Sequence, residues 1–369
     1  MSTQSRTLTD SEQAWARTRS YLREHRTELD SAAAAGYPEA HRVAESALLA
    51  RREWLPIAPI QLDDISLEWS RVEETPYTAR LPRSSILPTR ACGRPYETYS
   101  EAVGEIAAPA VFENRPTYRL LHADLAGRSP MLRFGLGHYF DNVDVGEAAA
   151  HEFAVAYRDG SVEPGVRTAI TDPCDPRQRG VNLAISTLTI RRDVDTGERS
   201  FLLHWRDPRK VGHAGGMYQV VPVGIFQPSG YADWNIENDF SLWYNMIREF
   251  SEELCGTDED HGSEEAPINY GAWDFASRLT RGLEDGTVEA YCLGLGVDPL
   301  SFATDLLTAV IFDGPVFDDL FGEIAADNDE GRVLELQPFT TEQIDRILAE
   351  HPIQAAGVAA LQLAIAKLR

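Results

Sequence analysis

A chain of 369 residues, 43% hydrophobic and 25% charged, has ample material for a core and is too long for one ordinary single-core domain. Its formal net charge is -24, from 34 Lys+Arg against 58 Asp+Glu. Such a field repels polyanions and argues against a nucleic-acid polymer as partner, but a small phosphorylated substrate can be held where a divalent ion and a few basic side chains reverse the charge locally.

The first ten residues are polar, and no stretch reaches the roughly 18 apolar residues of a membrane span, so no membrane partner and a cytoplasmic address are expected. Residues 10–52 read as two helices, one carrying Trp15, Tyr21, Leu22 and Leu29 and one carrying Val43, Ala47 and Leu48, with a break over Ala32–Pro38. Prolines 56, 59, 76, 82 and 88 then forbid a long helix, and short extended segments are expected from Trp54 to Arg90. Next come a helix near Tyr99–Ile106, extended segments over Tyr118–Asp124 and around Met131–Tyr139, and a helix over Val145–Tyr157 capped by Asp144. Glu147 and His151 share a face of that helix, but the pattern is not H-E-x-x-H, and hydrogen bonding within the fold explains the cluster better than a zinc site does. Arg115, Tyr118 and Arg119 could clamp a phosphate, although structural ion pairing is the commoner use of such residues.

A polar run, Asp172–Gly180, marks the next boundary. Val181–Arg191 and Ser200–Trp205 read as strands either side of the turn Asp195-Thr196-Gly197, followed by a third strand over Met217–Ile225. Helices are expected over Phe240–Leu254, near Trp273–Leu283, over Pro299–Phe312 and at the C-terminal end, Ala355–Leu368. Cys92, Cys174, Cys255 and Cys292 lie far apart without a C-x-x-C pair and read as reduced thiols.

The chemistry concentrates in Arg248-Glu249-Phe250-Ser251-Glu252-Glu253-Leu254-Cys255-Gly256. Positions i, i+3 and i+4 share a helix face, so Glu249, Glu252 and Glu253 present three carboxylates to one small volume. Alone, such a face is more often a solvated acidic surface; held together, it suits Mg²⁺ or Mn²⁺, which take oxygen ligands and keep positions open for water or phosphate. Arg248 could fix one carboxylate by pairing, and Gly256 suits a left-handed helix end.

This segment resembles the second half of the Nudix box, G-x5-E-x7-R-E-U-x-E-E-x-G-U, where U is aliphatic. The strands before it are similar to that family's too: Leu202-Leu203-His204-Trp205-Arg206, then Gly215-Gly216-Met217-Tyr218 running on to Val223-Gly224. After it, Asp329-Glu330-Gly331 and the run Val333–Pro338 are similar to the family's late acidic loop and strand. The resemblance covers about residues 180–369. It departs in the 23 residues between Gly224 and Arg248, a longer loop than the family has, where Glu237 is the nearest stand-in for the upstream glutamate, and in Thr257, where an aliphatic residue is usual.

The resemblance implies an α+β chain: a Nudix-like α/β/α sandwich with a mixed sheet over 176–369, after an N-terminal helical segment (1–55) and a mixed α/β domain (56–175) covering the pocket. It implies Mg²⁺ or Mn²⁺ on Glu249, Glu252, Glu253 and the Gly224 carbonyl, with Glu253 or Glu330 as general base and Arg248 in support. Arg206, His213, Tyr218 and Trp234 would contact substrate, with Lys210 close by and Tyr231 and Trp243 offering further stacking faces. The activity implied is metal-dependent cleavage of a diphosphate bond in a nucleoside diphosphate-linked or related small substrate. A nucleotide-metabolite sensor without turnover and an enzyme processing isoprenoid diphosphates are the alternatives, and a homodimer is left open.

Overall fold

Leu183–Arg192, Val288–Val297 and Thr304–Asp313 are three ten-residue runs rich in aliphatic and β-branched side chains, and they form the middle of a seven-stranded sheet. This is a computed structural model, and it describes residues 7–70, 81–82, 85–109, 111–160, 163–207, 216–259, 261–322 and 331–368. Among these residues the sheet order is Ile60–Gln61, Val288–Val297, Thr304–Asp313, Leu183–Arg192, Arg199–Phe201, Gln337–Pro338, with Val223–Ile225 also paired to Leu183–Arg192. Thr304–Asp313 runs parallel to Leu183–Arg192 and the other pairs are antiparallel, so the sheet is mixed.

Two three-stranded sheets flank it. One holds Ser66–Trp69, Met131–His138 and Pro116–Asp124; the other holds Gly331–Val333, His204–Arg206 and Tyr218–Gln219. Together with the helices they make the chain α+β. The helices Leu242–Cys255 and Ala355–Lys367 both pack on the central sheet. One buried apolar cluster runs from Trp15 through Tyr118 and Leu188 to Leu361, so residues before and after Asp172 share a core. No helix among the described residues is long and apolar enough to cross a membrane.

The structure differs from the sequence expectation in several places, and Ser200–Trp205 too divides, into Arg199–Phe201 in the large sheet and His204–Arg206 in a three-stranded one. The N-terminal helices are Asp10–Glu24 and Arg26–Ala35, parted only at His25, and the stretch around Val43–Leu48 is not helical, since Gly36 and Pro38 end the run and Ala44 takes a positive φ of 49°. Pro299–Phe312, expected as a helix, contains the strand Thr304–Asp313. Its period could suit either, but a continuous apolar run buried on both faces favours a parallel strand. Val288–Val297, beside it, is a strand that the sequence reading left unassigned.

Met217–Ile225 is two short strands, Tyr218–Gln219 and Val223–Ile225, because Pro222 has no N–H to continue a ladder. Finally, the chain is already helical from Tyr139, where Asp141 accepts the His138 N–H at 2.9 Å, and it passes through a π-turn at Val143–Glu147 into Ala148–Asp159. Asp144 therefore does not cap its own helix; it accepts the Ser100 N–H at 2.6 Å, in the first turn of Tyr99–Ile106.

Candidate functional site

The Leu242–Cys255 helix opens at Ser241, whose hydroxyl accepts the Tyr244 N–H at 3.3 Å. It closes at Gly256, left-handed at φ 68°, with the Thr257 N–H returned to the Ser251 carbonyl and the two hydroxyls 2.8 Å apart. Met246, Phe250 and Leu254 bury one face in the core, with Phe250 edge-on to Phe312 at 5.5 Å between ring centres. That anchoring fixes the direction of Glu249 and Glu252, which both line a cavity of about 430 Å³.

Gly224, at the neighbouring strand, lines the same cavity. A Cβ built on it would sit 1.7 Å from Glu249 Oε1, so the Glu249 carboxylate fills the space that any side chain at 224 would occupy. One turn on, Glu252 Oε1 is 2.9 Å from His261 Nε2. Glu253 is buried and absent from the cavity wall. Its Oε1 accepts the Val223 N–H at 2.6 Å and its Oε2 lies 3.5 Å from Nδ1 of the fully buried His204, so it ties the helix to the strand that carries Gly224.

Arg248 touches the cavity but is committed elsewhere. It donates to the Tyr270 hydroxyl at 2.5 Å, the Gln227 carbonyl at 2.6 Å and Asn245 Oδ1 at 3.0 Å, and the buried Asp239 lies 3.9 Å away. Burial works against its charge, but Tyr270 and Asp239 prevail and hold its pKa above the ordinary arginine value. These contacts anchor the loop between Gly224 and the helix, which is fixed further by Asp239 accepting from Ser229 N–H at 2.8 Å.

Of the other residues singled out in the sequence, Arg206 lines the cavity. Tyr218 does not: it lies against His351, 4.9 Å between ring centres. Trp234 is half exposed and donates to the Ser263 carbonyl at 3.0 Å, Tyr231 reaches Glu113 Oε2 at 3.0 Å, and Trp243 donates to Thr280 Oγ1 at 3.2 Å; none of the three is in the cavity wall. Glu237 is exposed on the Trp234–Asn238 helix. Lys210, His213, Asp329 and Glu330 lie outside the described residues.

No local pattern marks His204 and His261, which stand behind and beside the glutamates, because their partners are 49 and 9 residues away respectively. Nor does any pattern announce how much of the wall comes from the N-terminal half. Arg115, paired with Glu113 at 3.3 Å and Glu259 at 3.1 Å, lines the cavity, as does Glu147, which accepts from Arg19 at 3.0 Å. Tyr118 and Arg119 do not join Arg115 there. Tyr118 is buried, with its hydroxyl on the Ile236 carbonyl at 3.0 Å, and Arg119 is buried as well. His151 is enclosed against the Tyr99 hydroxyl at 3.0 Å, and burial brings its pKa down to about 3, so it stays neutral.

Among the described residues no three His, Cys, Asp or Glu side chains converge as a ready-made ion cage. Two carboxylates on the wall of a cavity that Gly224 also lines still fit Mg²⁺, which is commonly held by one or two carboxylates and completed by water and substrate phosphate.

No protein-family model and no curated protein matches the chain. Among solved structures, it is similar to a Nudix hydrolase from Alicyclobacillus acidocaldarius at 19% identity and a TM-score of 0.30, over 50% of this chain and 91% of that one. It is also similar to RenU, a Nudix hydrolase from M. smegmatis, at 14% identity and a TM-score of 0.21, over 49% of this chain and 82% of that one. At these TM-scores the likeness carries no conclusion about this chain.

Proposed function

We propose that the chain is a divalent-metal-dependent hydrolase that cleaves a diphosphate bond in a nucleoside diphosphate-linked or related small substrate. The observation that carries this reading is the seating of the Glu249 carboxylate against Gly224, with Glu252 one turn along, on the wall of a 430 Å³ cavity. Glu249, Glu252 and the Gly224 carbonyl would hold Mg²⁺ or Mn²⁺. The chemistry supplied there would be charge neutralisation at the diphosphate and a lowered pKa for the attacking water.

Glu253 acts by position: held by the Val223 N–H, it keeps strand and helix in register so that Gly224 and Glu249 stay together. That leaves Glu330, on sequence grounds, to take the proton from the attacking water. Arg248 is likewise a positioning residue, and Arg206 and Arg115 stand on the cavity wall, where a substrate phosphate would meet them.

The test is incubation with nucleotide sugars, ADP-ribose, dinucleotide polyphosphates, nucleoside triphosphates and prenyl diphosphates, with Mg²⁺ or Mn²⁺, following phosphate-containing products. Turnover lost by at least 100-fold in Glu249→Gln and Glu252→Gln supports the reading. A second reading, a metabolite-binding module without turnover, is favoured by the engagement of Glu252 with His261 and of Glu253 with Val223. Binding without products, indifferent to Glu249→Gln, would establish it instead.

A further inference from the structure

Away from the glutamate helix, the cavity wall is lined by hydrogen-bonding groups: Tyr139, Asn142 and Glu147 from one segment, Ser301 and Asp305 from another, and Gln354. One close approach holds the first two segments together. A Cβ on Gly146 would lie 2.3 Å from the Ser301 carbonyl oxygen, so the backbone of 142–147 rests directly on residue 301. Asp305 pairs across the sheet with Ala184, Ala184 pairs with Ile225, and the next residue, Ile185, pairs with Gly224. Asp305 therefore stands two strand spacings from the glycine that seats Glu249, roughly 10 Å away. That separation suits a group attached to a diphosphate, not the diphosphate itself.

The chemistry of this end selects among such groups. Asp305 is nine-tenths buried and accepts from the Ser186 hydroxyl at 2.8 Å through one oxygen. The half-buried Asn142 carboxamide makes no hydrogen bond among the described residues, so it has both donors and an acceptor to offer. A second phosphate would be repelled by Glu147 and Asp305. A prenyl chain would cover these groups without giving them partners, which costs affinity. A nucleobase needs a stacking face, and Tyr139 is the only Phe, Tyr or Trp among the described wall residues.

Hydroxyl groups are neutral, donate to carboxylates and exchange hydrogen bonds with a carboxamide. We infer that this end of the cavity is a subsite for a hydroxyl-rich, sugar-like group carried on the diphosphate, with Asp305 and Asn142 as its specificity-determining residues. The inference rests on the reading that the Glu249 and Glu252 end takes the diphosphate.

The test is calorimetric binding to the full chain with Ca²⁺ replacing Mg²⁺ to suppress turnover, using ADP-ribose, UDP-glucose, CDP-ethanolamine, geranyl diphosphate and inorganic diphosphate as probes. At least one sugar-bearing probe should bind about ten-fold or more tightly than geranyl diphosphate and inorganic diphosphate. Asp305→Asn, isosteric and still able to accept from Ser186, and Asn142→Ala should each erase most of that preference. Inorganic diphosphate should move less than about two-fold in both variants, with cooperative melting retained.

Tightest binding by geranyl diphosphate, or a sugar preference that survives both substitutions, overturns the subsite and leaves the diphosphate reading standing. If no probe binds, the diphosphate reading itself fails.

Discussion

The Glu249 carboxylate occupies the volume that a side chain on residue 224 would need, with Oε1 1.7 Å from a Cβ built on Gly224. What stands in the way is the far end of a flexible side chain, not backbone. Gly224→Ala can therefore fold by swinging Glu249 aside, and the loss should fall on function. Turnover is expected to drop about as far as in Glu249→Gln, the double variant to be no worse than either single one, and the melting temperature to move by only about 2–4 °C. Additive losses in the double variant would show that the two residues do not act through one position.

Arg248 should behave as a structural cation. Its removal leaves Asp239, fully buried, without its nearest charge partner and severs the bonds to Tyr270 and Gln227. Arg248→Met is expected to cost about 3 kcal/mol or more in urea unfolding, the scale seen when one member of a buried charged pair is taken away. An unchanged unfolding midpoint alongside lost turnover would instead make it a participant in the reaction.

Ion affinity should depend on substrate. Two cavity-facing carboxylates are a weak site by themselves, so Mn²⁺ followed by electron paramagnetic resonance should bind loosely to the free protein. It should bind at least about ten-fold more tightly once a diphosphate ligand supplies further oxygens. Tight binding without ligand would point to a fuller ligand set than Glu249 and Glu252 supply.

Burial raises the pKa of Asp305 to about 6, the Ser186 hydroxyl offsetting only part of the effect. The folded state thus holds this proton more firmly than the unfolded chain does. The stability it confers is complete below about pH 4 and is lost as pH rises through about 6, a change on the order of 2–3 kcal/mol. Asp305→Asn cannot titrate, so its unfolding free energy should fall less than that of the unsubstituted protein between pH 4 and 7, and at pH 7 the variant should be the more stable of the two. Parallel pH profiles would show that the carboxyl is already satisfied when charged.

The local parts of the site were legible because their signals are local. The i, i+3, i+4 spacing of Glu249, Glu252 and Glu253, the glycine at 256 and the Asp195–Gly197 turn each lie within one element, and the structure has a helix, a left-handed helix end and a hairpin turn at those places. The long-range parts were not. Nothing near His204 marks it as a neighbour of Glu253, and nothing in Arg115 or Asp305 announces a shared cavity, since sheet order and not sequence brings them there. The Thr304–Asp313 strand was mistaken for a helix because an unbroken apolar run has no period to read. The aromatic residues between Gly224 and Arg248 mislead for the opposite reason: their composition suggests stacking, but Tyr231, Trp234 and Trp243 all stand outside the cavity wall.

The seven-stranded sheet ends on both sides in strands of two residues, Ile60–Gln61 and Gln337–Pro338. Among the described residues the first of these, reinforced by the paired backbone of Leu49 and Val297, is the strand that lies along the outer edge of Val288–Val297. Residues far upstream of the glutamate helix are thus the guard that keeps a long apolar strand from recruiting strands of other molecules. Cutting the chain near residue 175 to isolate the catalytic half would strip that guard, and the fragment would be expected to aggregate through Val288–Val297 before any question of its chemistry could be asked.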